Sequence, residues 1–547
     1  MCGFLGVIGD EACSRMSFVR EFGDAFLSNR GPDASGSHED HDFSIFCARL
    51  VIRGGAAGQQ PVVLPGRKVL AYNGEIYRIA GTVLSAVPGD TALLALHLEA
   101  GKPTSDLDGM FAMAFWDPNQ RELLLARDHF GVKPLYCSTG TKVRAFGSSA
   151  LSIGRLLGLE EIEISAALAW LSLRGPFADA PFLKGVHPVP PGYELRLRDQ
   201  DGQITETSSK IAPAYPWRVA SDRIARLEEE LVAAVETCLS AEVEVGLCLS
   251  GGVDSSLIAA IATSIAGPKI PAYVLSSATN QDDVQMALGV ASTLGIGARV
   301  VSIVDEWPSI LEELIPLLDE PPTTESTVGV AAMAKAANSD GVRVLLSGEG
   351  ADELFGGYDE YRQPFDLVHI LREMDWLRTN VRPEHRTAVE TYIREVDGRI
   401  EGIVDPGRFD RSSRLARLLR RFDAATMAYS VEGRVPYLVR GVLEAAESWT
   451  WDQRTAGIGK WPLREVARRW LPPAVADRPK QPFASGVRRS PSEIRGFFEK
   501  YGDNLRPLLT DIAIAELATQ SDSPQAWKAV AVASHLAVHG LHICGTS

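Results

Sequence analysis

Hydrophobic positions in the first 200 residues come in short β-rich runs, at 4–8, 69–72, 112–116 and 123–126, broken by NGE, DGM and HFGVKP. Short apolar runs set off by polar and glycine-containing breaks predict strands joined by turns, with few helices between them. The expectation is a layered α+β domain rather than a βαβ array. Proline-rich segments follow, VHPVPPG at 186–192 and IAPAYPWR at 211–218, and helical periodicity resumes at 224–241. The boundary is placed between residues 200 and 220, giving units of 1–205 and 206–547.

Past the boundary the texture changes. Apolar strands are expected at 243–249, 271–276, 299–303 and 342–346, alternating with helices at 255–265, 284–294, 310–318 and 328–338. That alternation predicts an α/β unit, a doubly wound parallel sheet covered on both faces. The last 160 residues read as mostly helical and carry many arginines, as in RSSRLARLLRRF at 411–422.

Composition narrows the class. Of 547 residues, 45% are hydrophobic and 23% charged, which excludes disorder, collagen and coiled coil for the whole chain. Lys and Arg number 55 against 70 Asp and Glu, a net charge of -15, and no long basic run overrides it. An acidic surface repels a phosphate backbone, so nucleic acid is not the expected partner. The seven cysteines (Cys2, Cys13, Cys47, Cys137, Cys238, Cys248, Cys544) are scattered and never spaced C-x-x-C, which argues against both a disulfide framework and a zinc site. The longest apolar stretches last about ten residues, short of the ~18 that suggest a membrane span. The start MCGFLGVIGDEACSR lacks the basic flank of a secretory signal. A cytoplasmic protein with no membrane partner is expected.

Candidate chemistry begins with SGGVDSS at 250–256, between an expected strand and an expected helix. Paired glycines let backbone N–H groups approach a ligand, and the helix N-terminus adds positive potential, so the segment reads as a phosphate cradle. Ser250, Ser255 and Ser256 add hydroxyls and Asp254 a carboxylate suited to Mg²⁺. The plainer alternative is a glycine turn with Ser255 or Ser256 capping the helix. A second loop, SGEGADELFGGY at 347–358, follows another expected strand. It lies at the C-terminal edge of the same sheet, where doubly wound folds bind ligands. Glu349, Asp352 and Glu353 would bring three carboxylates there.

The third signal is Cys2. Removal of Met1 would give it a free α-amine with a pKa of about 8, a base adjacent to its own thiol. It is accompanied by NRGPD (29–33), ARLVI (48–52), NGEIY (73–77), PGD (88–90), DGMFAMAFWD (108–117) and ARDHFGVKPLY (126–136). This set resembles the N-terminal-nucleophile glutaminase domain of class II glutamine amidotransferases. Joined to the two glycine loops, it is similar to glutamine-dependent asparagine synthetase over nearly the whole chain.

The resemblance implies a layered αββα glutaminase domain followed by an ATP-pyrophosphatase-type synthetase domain with a helical C-terminal part. It implies ATP and Mg²⁺ as cofactors and glutamine and a carboxylic acid as substrates, with a homodimer as the assembly considered. Cys2 would attack the glutamine amide, with Asn73 and the Gly74 N–H as oxyanion hole, donors worth ~3 kcal/mol each. Arg49, with Leu50 and Ile52 beside it, would hold the glutamine carboxylate, and Glu75 with Asp90 its ammonium. Leu249, Ser250, Gly251, Gly252, Asp254, Ser255, Ser256, Leu275, Ser347 and Gly348 would take ATP, and Asp254 and Asp352 the metal. Glu349 would serve the acyl-adenylate, and Lys460 the reacting phosphate.

The chain departs from that pattern mainly where an acceptor would bind. Ser326 stands where the family places an arginine, Val439 where it places an aspartate, and IGARVV follows Leu294 in place of a His-rich strand start. In the first unit RLVIRG puts Gly54 where an aspartate is expected, and Ser148-Ser149 replaces S-E. The expected reaction is ATP-dependent amidation by glutamine, with aspartate as the default acceptor. The alternatives are a specialised-metabolite acid, intramolecular amide formation, or a sensor with inert domains.

Overall fold

The computed structural model describes residues 2–9, 12–84, 89–212, 221–362, 368–401, 403, 405–480 and 489–544. The side chain of Cys2, together with Met1 and Pro88, lies outside the described residues.

The N-terminal unit is built on strands β1 (Cys2–Gly9), β2 (Ala34–Asp40), β3 (Phe43–Arg49), β4 (Val69–Ile79), β5 (Leu107–Asp117), β6 (Glu122–Arg127), β7 (Tyr136–Ser138), β8 (Val143–Gly147), β9 (Val186–Pro188), β10 (Tyr193–Gln200) and β11 (Gln203–Lys210). One antiparallel sheet runs β9-β7-β8-β1-β3-β2; the other runs β11-β10-β6-β5-β4, with two-residue strands paired to β4. Phe4, Ile8, Phe43 and Ile45 of the first sheet pack on Val69, Ala71, Ala112, Ala114 and Trp116 of the second. Phe43 stacks on Trp116 at 5.2 Å. Helix α1 (Met16–Leu27) covers the outer face of the first sheet through Val19 and Leu27. Helix α2 (Thr91–Glu99) covers the second through Leu94, Ala95 and Leu98, against Leu70, Tyr72, Phe111 and Met113. The layers are αββα, and alternate residues of 110–116 serve opposite cores, so that run is packing.

Two sequence expectations change here. NGE and DGM do not break their strands, because β4 and β5 run through them and pair Asn73 with Ala112, Gly74 with Phe111 and Glu75 with Met110. Gly74 permits this: its φ is +142°, and a Cβ there would collide with the Met110 carbonyl. The oxyanion-hole candidates therefore stand on a strand, not in a turn.

The C-terminal unit has five parallel strands, β12 (Glu244–Cys248), β13 (Ala272–Ser276), β14 (Ala298–Ser302), β15 (Val342–Leu346) and β16 (Glu432–Arg434), in the order β14-β13-β12-β15-β16. Its helices include α3 (Arg223–Leu239), α4 (Val253–Ala266), α5 (Gln281–Leu294), α6 (Ser326–Ser339), α7 (Ala351–Phe355), α8 (Arg386–Ile400), α9 (Arg414–Met427), α10 (Trp461–Trp470) and α11 (Pro524–His539). The helix expected at 310–318 ends at Leu314 and tightens to a 3-10 turn, Ile315–Leu317, because Pro316 has no N–H to continue it. Among the described residues no helix is long and apolar enough to cross a membrane.

The units are joined by charged and polar bonds. Asp423 of α9 accepts from Arg30 at 2.8 Å and from Lys133 at 3.1 Å, all three nearly buried. Asp319 accepts from the Ser149 hydroxyl at 2.6 Å and the Ala150 N–H at 2.7 Å. Glu242 accepts from the Gly54 N–H at 2.9 Å.

Candidate functional site

The two glycine loops leave neighbouring strands, β12 and β15, at the same edge of the parallel sheet. Helix α4 begins at Val253 with Gly252 as its N-cap, so Ser255 and Ser256 lie inside its first turn. This corrects the capping alternative. The Ser255 hydroxyl instead ties the loop to itself, accepting from the Ser250 N–H at 3.1 Å and lying 3.0 Å from the Ser250 hydroxyl. Ser256 is fully buried, facing the interior. The loops touch: a Cβ on Gly348 would stand 3.1 Å from the Asp254 Cβ, which is why the second loop carries glycine there.

Beneath them sits Lys460, buried, with φ +57° and its ammonium 2.5 Å from both Asp254 and Asp352. Lys480 binds the other Asp352 oxygen at 2.7 Å. Burial alone would raise the Asp352 carboxyl, but the two lysines hold it well below the usual carboxylate range. The Asp254 Oδ1 is buried without a hydrogen bond, an oxygen donor left over beside a second carboxylate, and such a pair suits Mg²⁺. Glu349 pairs with Arg421 at 2.6 Å. Glu353 turns away from the other two carboxylates: it accepts from the Tyr358 hydroxyl at 2.7 Å, and burial and then the Asp352 charge push it up to about 8. The expectation of three carboxylates at the edge is thus reduced to two.

These residues open onto a cavity of about 1040 Å³ walled by both units. Leu249, Ser250, Asp254, Ser255, Leu275, Ser347, Gly348, Glu349 and Asp352 line one end, and Asn29, Arg30, Val132, Ser148 and Ser149 come from the N-terminal unit. Sequence reasoning missed Lys480, Arg421 and further arginines of α9. Lys480 is a single lysine in DRPKQP, without a spacing signal. Arg421 also donates to Ser326, so a guanidinium from α9 reaches the position where the resemblance placed an arginine.

In the N-terminal unit, Cys2 and Arg49 are register partners across β1 and β3. Asn73, Gly74 and Glu75 follow on β4; Asn73, Glu75, Arg49, Leu50 and Ile52 are all buried. Asp90 precedes α2 and accepts from the Ile76 N–H at 2.7 Å and from the Tyr72 hydroxyl. Arg49 donates to the carbonyls of Gly55 at 2.6 Å and Arg53 at 3.1 Å. Arg53, unforeseen, pairs with Glu75 at 2.5 Å, and Arg434 of β16 reaches the same carboxylate at 3.4 Å. Burial, then the neighbouring Asp90, push Glu75 up to about 7 despite these two cations.

Comparison with known proteins follows the same division. Residues 226–538 match the family model described as asparagine synthase, and residues 1–208 that of a glutamine amidotransferase domain. A Mycobacterium tuberculosis protein named putative asparagine synthetase [glutamine-hydrolyzing] is 29% identical, the match covering 94% of this chain and 92% of that one. Asparagine synthetase [glutamine-hydrolyzing] 1 of Bacillus subtilis is 27% identical, covering 89% of this chain and 87% of that one. Amidase chyE of Penicillium rubens is 29% identical over 61% of this chain and 54% of its own. An N-terminal-nucleophile glutaminase fold, a parallel-sheet ATP-binding unit and both family models in order along one chain lead to one conclusion: the protein belongs to the asparagine synthase family and is a glutamine-hydrolysing, ATP-dependent amidotransferase of the ligase class.

Proposed function

We propose that the enzyme activates a carboxylic acid as its acyl-adenylate and amidates it with ammonia drawn from glutamine, with aspartate as the default acceptor. The observation that carries this reading is the single ammonium of Lys460 joining the aspartates of both glycine loops, at one end of a cavity that the glutaminase unit also walls.

In the first half-reaction Cys2, freed of Met1, attacks the glutamine amide carbon, and the C–N bond breaks as ammonia leaves and a thioester remains. Asn73 and the Gly74 N–H stabilise the oxyanion, and water then hydrolyses the thioester. Arg49, Leu50 and Ile52 position the glutamine carboxylate, and Glu75 and Asp90 its ammonium. In the second, an acceptor carboxylate oxygen attacks the α-phosphorus of ATP and pyrophosphate leaves. Ammonia then attacks the acyl carbon, AMP departs with the C–O bond electrons, and the nitrogen gives up a proton.

Leu249, Ser250, Gly251, Gly252, Ser255, Leu275, Ser347 and Gly348 hold the nucleotide, with Lys460 and Lys480 on the phosphate side. Asp254 and Asp352 would hold Mg²⁺, which neutralises phosphate charge when bound. Glu349, fixed by Arg421, serves the adenylate.

The test is incubation with ATP, glutamine and a panel of acids while pyrophosphate is followed. Pyrophosphate formed only with an acid present, with amide and AMP in equal amounts, is the expected result. ADP and phosphate in place of AMP and pyrophosphate would refute the adenylate.

A further inference from the structure

The cavity of about 1040 Å³ extends well past the glycine loops, to Leu173, Phe177, Ile400 and Phe409, leaving room beside a nucleotide for a second substrate. That far region is walled by hydrocarbon, yet α9 lays arginines along it. Arg414, Arg417 and Arg421 recur at i, i+3 and i+7, on one face of the helix. Arg421 stands at Glu349, beside the expected reaction centre, and Arg417 lies one turn back, about 6 Å along the axis.

Most cations here are satisfied. Arg420 pairs with Glu320 at 2.7 Å, Arg414 with Asp410 at 3.5 Å, Arg489 with Glu325 at 3.1 Å and Lys528 with Glu373 at 3.0 Å. Two are different. Among the described residues, neither the Arg417 nor the Arg174 side chain has an ion pair or hydrogen bond, although both line the cavity. The acids nearest Arg174, Glu373 and Glu325, are the ones held by Lys528 and Arg489. The acid nearest Arg417 is Asp410, already bonded by Tyr361, Ser413 and Arg414.

The two guanidiniums belong together. A Cβ on Gly175 would lie 3.1 Å from the Arg417 Cδ, so the Arg417 stem packs over the residue next to Arg174. Arg174 has φ +67°, a costly backbone for a side chain with a Cβ, and its carbonyl is clamped by the Thr323 hydroxyl at 2.7 Å. Burial lowers the pKa of both, that of Arg417 to about 10, with Arg414 adding repulsion at each. Arg174 is exposed and Arg417 half-buried, so both guanidiniums open to the cavity with no protein anion among the described residues joined to them, and their planar forks suit a carboxylate.

We infer that Arg174 and Arg417 together receive a second anionic group of the acceptor acid, so that the amidated substrate is a dianion longer than the default aspartate, gripped by the end that does not react. The inference rests on the amidation reading and names the substrate class of that same site.

The experiment measures acid-dependent ATP–pyrophosphate exchange with α,ω-dicarboxylic acids of increasing length, each beside its monoamide. A diacid is expected to exceed its monoamide at least about tenfold in kcat/KM, the worth of a charge-assisted contact. In Arg174→Gln and Arg417→Gln that ratio falls toward one through the KM for the acid. Arg417→Lys, which keeps the charge, restores part of it, as repair of packing alone would not. Equal turnover of diacid and monoamide by the wild type overturns the inference, as does a ratio that survives both substitutions or a rise in the KM for ATP instead. If no acid drives exchange, the adenylation reading itself fails. Calorimetric titration of the diacids into enzyme holding a non-hydrolysable ATP analogue then decides the anion site alone: binding lost in the two variants supports it, and no binding overturns it.

Discussion

At the scale of single residues, the nucleotide end is organised by Lys460. Its ammonium neutralises a buried carboxylate, Asp352, and a half-buried one, Asp254, that the fold brings to within bonding distance of one point. Lys460→Gln would leave Asp254 without its counter-charge beside Asp352, which would keep only Lys480, and breaking such a set costs up to about 3–5 kcal/mol. Thermal unfolding should show a clear fall in Tm, and acid-dependent pyrophosphate formation should drop beyond detection. In the glutaminase unit the corresponding residue is Glu75, which in its proposed role must be ionised to accept a substrate ammonium. With its carboxyl pushed up to about 7, glutamine use should strengthen as pH rises through that value. Arg53 lowers the same carboxyl, so Arg53→Gln removes a stabilising positive charge and should move the midpoint of the glutaminase kcat/KM profile upward, by about one pH unit for a contact this close. An unmoved midpoint would remove Glu75 from glutamine binding. Arg53 was invisible in the sequence: RLVIRG reads only as a departure, and the direction of a side chain in a non-periodic loop has no spacing signal.

At the scale of elements, the parts that could be read were those whose chemistry is local. A strand, a glycine loop and a helix N-terminus are consecutive in sequence, so the position of both glycine loops was legible, and the parallel sheet followed from the alternation around them. Strand β4 was misjudged because glycine and asparagine weaken a strand in isolation, whereas pairing with β5 decides the matter here. The arginines of α9 were seen but not understood: at helical spacing they match a solvated face, and only the packing of Leu173, Phe177 and Phe409 around them encloses that face. Helix α11 carries a further consequence. His535 and His539 sit one turn apart with rings 4.6 Å from each other, and His535 also meets Trp170 of the N-terminal unit at 6.4 Å. Burial keeps both imidazoles below their ordinary pKa of 6.5. Above that value folded and unfolded states are equally neutral, so the pair costs nothing. Below it the unfolded chain takes up protons that the folded one refuses, and stability is lost at up to about 1.4 kcal/mol per pH unit for each group. Buried carboxyls such as Glu75 and Glu353, whose raised pKa values stabilise the fold as pH falls, work in the opposite sense, so the checkable quantity is a difference: the Tm of His535→Leu relative to wild type should rise steadily from about pH 6.5 downward in a pH series of melting curves.

At the scale of the whole molecule, the two units are joined by buried charge. Asp423 is the hub: it sits on the helix that supplies the cavity arginines and accepts from Arg30 and Lys133, both from the glutaminase unit. Asp423→Asn would strand the fully buried Lys133 ammonium, again at a cost of about 3–5 kcal/mol. The expected signature is separation of one unfolding transition into two, together with more glutamine hydrolysed per pyrophosphate released as ammonia escapes through a loosened wall. A ratio that stays near one would show that the joint does not seal the cavity.

The adjacency of β12 and β15 reaches further. Because the two glycine loops spring from hydrogen-bonded neighbours, their separation is set by backbone pairing and not by any side chain, whereas the far wall of the cavity is assembled from the 173–177 loop and from helices supplied later in the chain. On the proposed reading, the machinery of activation and the gauge that measures the acid rest on separate elements of the fold. A lineage, or an engineer, can retool the helices for a new acid while leaving the sheet edge untouched, and a handful of exchanges on α9 and the 173–177 loop is the shortest route to a different amide product.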